Sequence, residues 1–136
     1  MSRLKLVVLL FIFNSCNSNP KIPISNTLEI ALGSNYRNYE KHLNNAYNGD
    51  SVSFRKLLLI DTIYNSAGYD HGWILLKLLE RVGDQYYSNL LKTLTRQQIN
   101  NVSQYLEASI QGNKNDEKLL DSYKLTNQIL KENYKE

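Results

Sequence analysis

Between Tyr64 and Trp73 the chain gathers most of the side chains that could do chemistry: Tyr64-Asn65-Ser66-Ala67-Gly68-Tyr69-Asp70-His71-Gly72-Trp73. Asp70 and His71 together could relay a proton, because a carboxylate can orient and polarise an imidazole. A relay needs something to act on, however, and no Ser or Cys nucleophile motif accompanies the pair. His42 and His71 are the only histidines, and they lack the two-His spacing of a zinc-binding helix. No metal set, cofactor motif or catalytic residue is therefore assigned. Two readings stay open for the segment. In one, Asp70 caps a helix that begins at His71, and Trp73 staples the preceding loop to the core. In the other, Tyr64, Tyr69, Asp70, His71 and Trp73 form a binding surface. Gly68 and Gly72 allow either a left-handed backbone or the close approach of another group.

Asp61 is the second polar residue of interest. A helix running from Asp50 to about Tyr64 places Phe54, Leu57, Leu58 and Tyr64 in one arc at about 100° per residue, with Asp61 in the middle of it. A carboxylate there needs donors, because an unpaired buried charge is very costly. The expectation is a structural polar residue that locks the Asn65 to Asp70 loop, whose loss costs roughly 2 kcal/mol.

The elements that would position these residues read as helical almost throughout. No Pro follows Pro23, and strict apolar alternation extends no further than Leu28-Ile30-Leu32. A first helix runs from Thr27 through Tyr36, Tyr39 and Leu43, with a break foreseen at Gly33. Asn48-Gly49-Asp50 ends it and offers Asp50 as the next N-cap. Asn65 to Asp70 reads as a loop before a strongly apolar helix from His71 to Val82. Its Leu75, Leu78, Leu79 and Val82 fit the helical template, and Trp73, Ile74 and Leu76 widen the stripe, as befits a central element. Gly83-Asp84 repeats the stop-and-cap device before a helix carrying Tyr87, Leu90, Leu91 and Leu94. Thr95 and Gln98 form a capping box for a helix using Ile99, Val102, Leu106 and Ile110, closed by Gly112. A terminal helix, capped by Asp116, uses Leu119, Leu120, Tyr123, Leu130 and Tyr134. Gly49-Asp50 and Gly83-Asp84 stand 34 residues apart, a spacing suited to stacked helical hairpins. Side-chain agreement between the intervals is poor, and the tetratricopeptide consensus is missing. The expected fold is all-α, with five or six helices in antiparallel hairpins, as a bundle or a short hairpin array.

The N-terminus carries a different message. Arg3 and Lys5 precede an unbroken apolar run from Leu6 to Phe13, too short to span a bilayer but suited to a secretory signal. Phe13-Asn14-Ser15-Cys16 then resembles the lipobox of bacterial lipoproteins, in which a small residue precedes a cysteine that is lipidated and becomes the mature N-terminus. The family usually has Leu and a small residue where Phe13 and Asn14 stand. The resemblance covers the first 16 residues and implies export, lipidation of Cys16 and attachment to a membrane of the cell envelope. Asn17-Ser18-Asn19 places no Asp after Cys16, which in enterobacterial lipoproteins implies the outer membrane, facing the periplasm. The organisation expected is a signal peptide over 1–15, a lipidated flexible tether over 16–26 with Pro20 and Pro23, and one helical domain over 27–136.

Composition narrows the function further. Cys16 is the only cysteine, so no intrachain disulfide is possible. Arg3 and Lys5 leave with the signal, so 16 basic residues become 14 against 13 acidic ones, and the net charge falls to +1. That balance, with no basic stripe, leaves no electrostatic footprint for nucleic acid. Ten tyrosines stand against three phenylalanines, two of which lie in the signal. Tyrosine suits surfaces that are dry at one end and wet at the other, either at the margins of a small core or at interfaces. The leading expectation is a protein-binding module at a membrane, in a specific version a toxin-neutralising immunity or inhibitor protein. Two alternatives are a small-ligand-binding protein or hydrolase-like enzyme using the Asp61, Asp70 and His71 region, and a structural component of the envelope.

Overall fold

The computed structural model describes residues 22–111 and 113–134, and over them the protein is all-α. Cys16, the signal, the first part of the spacer and Gly112 lie outside the described residues. Eight α-helices follow one another: α1 (Asn26–Leu32), α2 (Tyr36–Tyr47), α3 (Ser51–Leu58), α4 (Asn65–Val82), α5 (Asp84–Leu91), α6 (Arg96–Ile110), α7 (Lys114–Ser122) and α8 (Lys124–Asn133). The number exceeds the expected five or six because two long helices are broken. One break is the foreseen one at Gly33, whose φ of 52° opens a single 3-10 turn between α1 and α2. The other is at Tyr123, which divides the terminal helix into α7 and α8.

The domain begins earlier than the spacer reading implied. Ile22 is buried, and Ser25 caps α1 by accepting the Leu28 N–H at 3.1 Å. The Ser25 hydroxyl also donates to the Asp70 carboxylate, tying this entry segment to α4. Local signals account for the next starts. Asp50 accepts the Ser53 N–H at 2.9 Å and caps α3, and Thr95 and Gln98 form both halves of the capping box on α6. Hydrogen bonds from Ser53, side chain and backbone, hold the Asp50 carboxyl below its ordinary pKa.

α3 departs from the expected course. It stops at Leu58, and residues 60–64 form a non-helical connection in place of two more helical turns. The change exchanges which residue faces the core: Ile63 is buried, whereas Asp61, Thr62 and Tyr64 are exposed. Burying an isoleucine contributes about 2 kcal/mol, and burying a lone carboxylate costs more than that, so the chain leaves the helix where helical periodicity would bury Asp61. Asp61 is thus not a buried lock on the following segment.

That segment is itself helical. α4 starts at Asn65, so the expected loop is its first turn and a half, and Asp70 lies inside the helix with Tyr64 at the N-cap position. α4 is the central element, with Ala67, Gly68, His71, Gly72, Ile74, Leu75, Leu76, Leu78 and Leu79 all buried. Its most extensive contact is with α6 and not with its neighbour α5, while α5 packs on α8 and α2 on α3. Gly83 ends α4 with φ 84°, a conformation that favours glycine. Asp84 does not cap its own helix. Its carboxylate accepts the backbone N–H groups of Leu125 at 2.9 Å and Thr126 at 2.8 Å, which caps α8 across the fold. The two Gly-Asp pairs therefore do different work, and their 34-residue spacing is not one device repeated. At α7 the cap is Asn113 in place of Asp116, which accepts from the Asn113 amide at 2.6 Å.

Candidate functional site

α4 carries four of the singled-out residues, Tyr69, Asp70, His71 and Trp73, and its geometry separates them. Successive side chains are rotated by about 100°, so positions 69, 73 and 77 form one stripe while 68, 71, 72 and 75 face the other way.

The inward face is built for close packing. A Cβ on Gly72 would lie 1.9 Å from the Tyr105 carbonyl oxygen, and one on Gly68 would lie 3.2 Å from the Ile63 carbonyl. Both glycines thus serve close approach, the second of the two roles open to them. Tyr105 of α6 crosses at this point. Its hydroxyl donates to the Ile63 carbonyl at 3.1 Å and accepts the Ile63 N–H at 3.2 Å, so it pins the connection from α3. Tyr105 was not singled out from the sequence. The signal that could have found it is the pair of glycines four residues apart, which calls for a large side chain on the facing helix.

His71 sits between two tyrosines, fully buried. Its ring lies edge-on to Tyr105 with centroids 4.8 Å apart, and its Nδ1 is 2.7 Å from the Tyr39 hydroxyl. Desolvation pushes its pKa down to about 3, against a small upward pull from the backbone of Leu57. A ring so poor a base is neutral at physiological pH, so Nδ1 accepts from the Tyr39 hydroxyl and Nε2 carries the hydrogen. Nε2 faces Leu57 without a hydrogen bond of full geometry. His71 is a core side chain that the solvent does not reach.

The outward face is amphipathic and open. Tyr69 is 47% exposed. Trp73, one turn on, is half-buried, with the Lys77 ammonium 5.6 Å from its ring centre. Lys77 also pairs with Glu80 at 2.6 Å. Beside this stripe the Arg81 guanidinium lies 4.7 Å over the Tyr47 ring and its Nε donates to the Tyr47 carbonyl at 3.4 Å. Ile22 and Pro23 border the same shallow depression, of about 370 Å³, so it lies where the chain enters the domain. Aromatic rings and a guanidinium on an open surface are the composition of binding hot spots.

The remaining singled-out residues lie apart. Asp70 is engaged by Ser25, and Tyr64 is exposed beside Asp61, Asn101 and Gln104. Asp61, Asp70 and His71 therefore occupy three environments (surface, entry-segment contact and core) and form no common cleft. Among the described residues no three His, Cys, Asp or Glu side chains gather as a metal set, and no helix is long and apolar enough to cross a membrane. Comparison with family models, curated proteins and solved structures finds nothing that matches the chain.

Proposed function

We propose that this chain is a bacterial lipoprotein, anchored by lipid on Cys16 in the cell envelope, whose helical domain binds another protein through the outward face of α4. The observation that carries the reading is the open stripe of Tyr69, Trp73 and Lys77, flanked by the Arg81–Tyr47 stack, on a helix otherwise devoted to the core. Tether length supports a partner at the membrane. Five residues separate Cys16 from Ile22, and the six steps between them reach about 20 Å at full extension. A domain held that closely meets membrane-associated proteins at high effective concentration. The specific version, a toxin-neutralising protein, makes that partner a toxin encoded beside this chain. The dispersal of Asp61, Asp70 and His71 gives a hydrolase-like reading no support.

The test is photo-crosslinking in the cells that make the protein, with a photoreactive phenylalanine placed in turn at Tyr69, Val52 and Leu125, all three exposed. The expected result is a discrete protein adduct from position 69 that is lost in Trp73→Ala and in Cys16→Ala. Adducts of equal yield from all three positions, or none from 69, would instead favour a structural envelope component.

A further inference from the structure

A second concavity lies away from α4's outward stripe, between the start of α2 and the end of α3, with a volume of about 240 Å³. Its floor is apolar: Leu32, Leu57, Ile60 and Ile63 line it. Its rim is polar and one-sided in charge, formed by Asn35, Asn38, His42 and Lys56, and none of the residues lining it is acidic. A preformed apolar cleft with a few convergent polar groups is the usual shape of a small-molecule site. Here the polar groups are two amides, an imidazole and an ammonium, a set that offers hydrogen-bond donors and positive charge.

The rim is held in place. His42 Nδ1 is paired with the Ser53 hydroxyl at 3.2 Å, and Asn45 donates to the same oxygen at 3.4 Å. Among the described residues the second ring nitrogen of His42 has no hydrogen-bond partner. The local field is positive. Partial burial first, then the charges of Lys56 and Lys41, lower the pKa of His42, and Asp50 opposes them more weakly. An anion seated between His42 and Lys56 would relieve this repulsion. The end of α3 contributes as well: Lys56 belongs to its last turn, and where α3 stops the chain lays Ile60 and Ile63 along the floor. The early end of α3, which exposes Asp61, is thus also what forms this cleft.

We infer that this cleft binds a small amphiphilic anion, with a short apolar body on the Leu32, Leu57, Ile60 and Ile63 floor and a carboxylate-like head between Lys56 and His42. A space that would hold about eight waters at their liquid volume suits a ligand of similar heavy-atom count, such as hexanoate. For so small a ligand a Kd of about 1 mM is expected. This site is independent of the partner-binding face.

The test follows the His42 ring signals of the full chain by NMR during titration with hexanoate, hexanol and hexylamine. The indole signal of Trp73, on the outward face of α4, serves as the reference, because His71 touches Tyr39 and Leu57, which line the cleft. Hexanoate is expected to bind about tenfold more tightly than hexanol, to raise the pKa of His42, and to lose that preference in Lys56→Gln, while hexylamine binds no better than hexanol. Lys56 is exposed, so the variant keeps its fold. Equal binding of all three compounds, a preference unchanged in Lys56→Gln, or no binding of hexanoate would each overturn the proposal.

Discussion

The two faces of α4 follow different rules, although they share one stretch of sequence. On the inward face each side chain is set by a neighbour across the fold. Gly72 is small because the Tyr105 backbone lies against it, and His71 is neutral because Tyr39 and Tyr105 enclose it. On the outward face Tyr69 is half-exposed, and Trp73 rests one side against the core while the other stays open. A large aromatic at an exposed helix position, as Tyr69 is, belongs to the residue types that binding surfaces favour. Residue type alone did not separate these roles, since glycine, histidine and tyrosine within ten residues look equally suited to a site. Direction on the helix separates them.

The strongest challenge to this division is Gly72→Ala. A methyl group at 1.9 Å from a backbone oxygen cannot be absorbed by a side-chain rotation, so α4 and α6 must part. We expect a loss of about 3 kcal/mol or more, read by urea denaturation. A change below about 1 kcal/mol would mean that the crossing is looser than the distances state.

A smaller effect comes from His71. Its pKa is about 3 when folded against an ordinary 6.5 in the unfolded chain, so the group leaves stability unchanged above about pH 7. As pH falls below 6.5 the unfolded chain takes up a proton that the folded ring refuses, and stability drops until pH approaches 3. By about pH 5 the loss should reach roughly 2 kcal/mol relative to neutral pH. In His71→Gln the slope between those values should shrink; an unchanged slope would place the titration elsewhere.

The smallest effects belong to the surface. Tyr69→Ser and Asp61→Ala should each change stability by less than about 0.5 kcal/mol in the same denaturation experiment. For Asp61 this reverses the expectation from helical periodicity, and a loss near 2 kcal/mol would restore it.

These cases also show how far the fold was legible. Caps within a few residues of their helix were readable: Asp50, and Thr95 with Gln98, do what their spacing implies. The all-α character and the central place of α4 followed from apolar periodicity. What escaped was settled by distant partners. Asp84 resembled a local cap, but its acceptors serve N–H groups 41 and 42 residues away. Gly68 read as a loop residue because glycine weakens an isolated helix, a cost that close packing at the α4–α6 crossing offsets. Periodicity carried α3 two turns too far because it could not register that Ile63, pinned by Tyr105, would take the buried place. The candidate residues stand near one another in sequence, yet nothing local told Tyr69 and Trp73 from His71.

The division of α4 can be examined directly by hydroxyl-radical footprinting, comparing oxidation rates at Tyr69 and Trp73 in the intact envelope with those in the purified chain. Both residues should be oxidised several-fold more slowly in the envelope, while Tyr134, exposed at the far end of the chain, keeps its rate. Equal rates at Tyr69 and Trp73 in the two settings would contradict the claim that a partner covers this face.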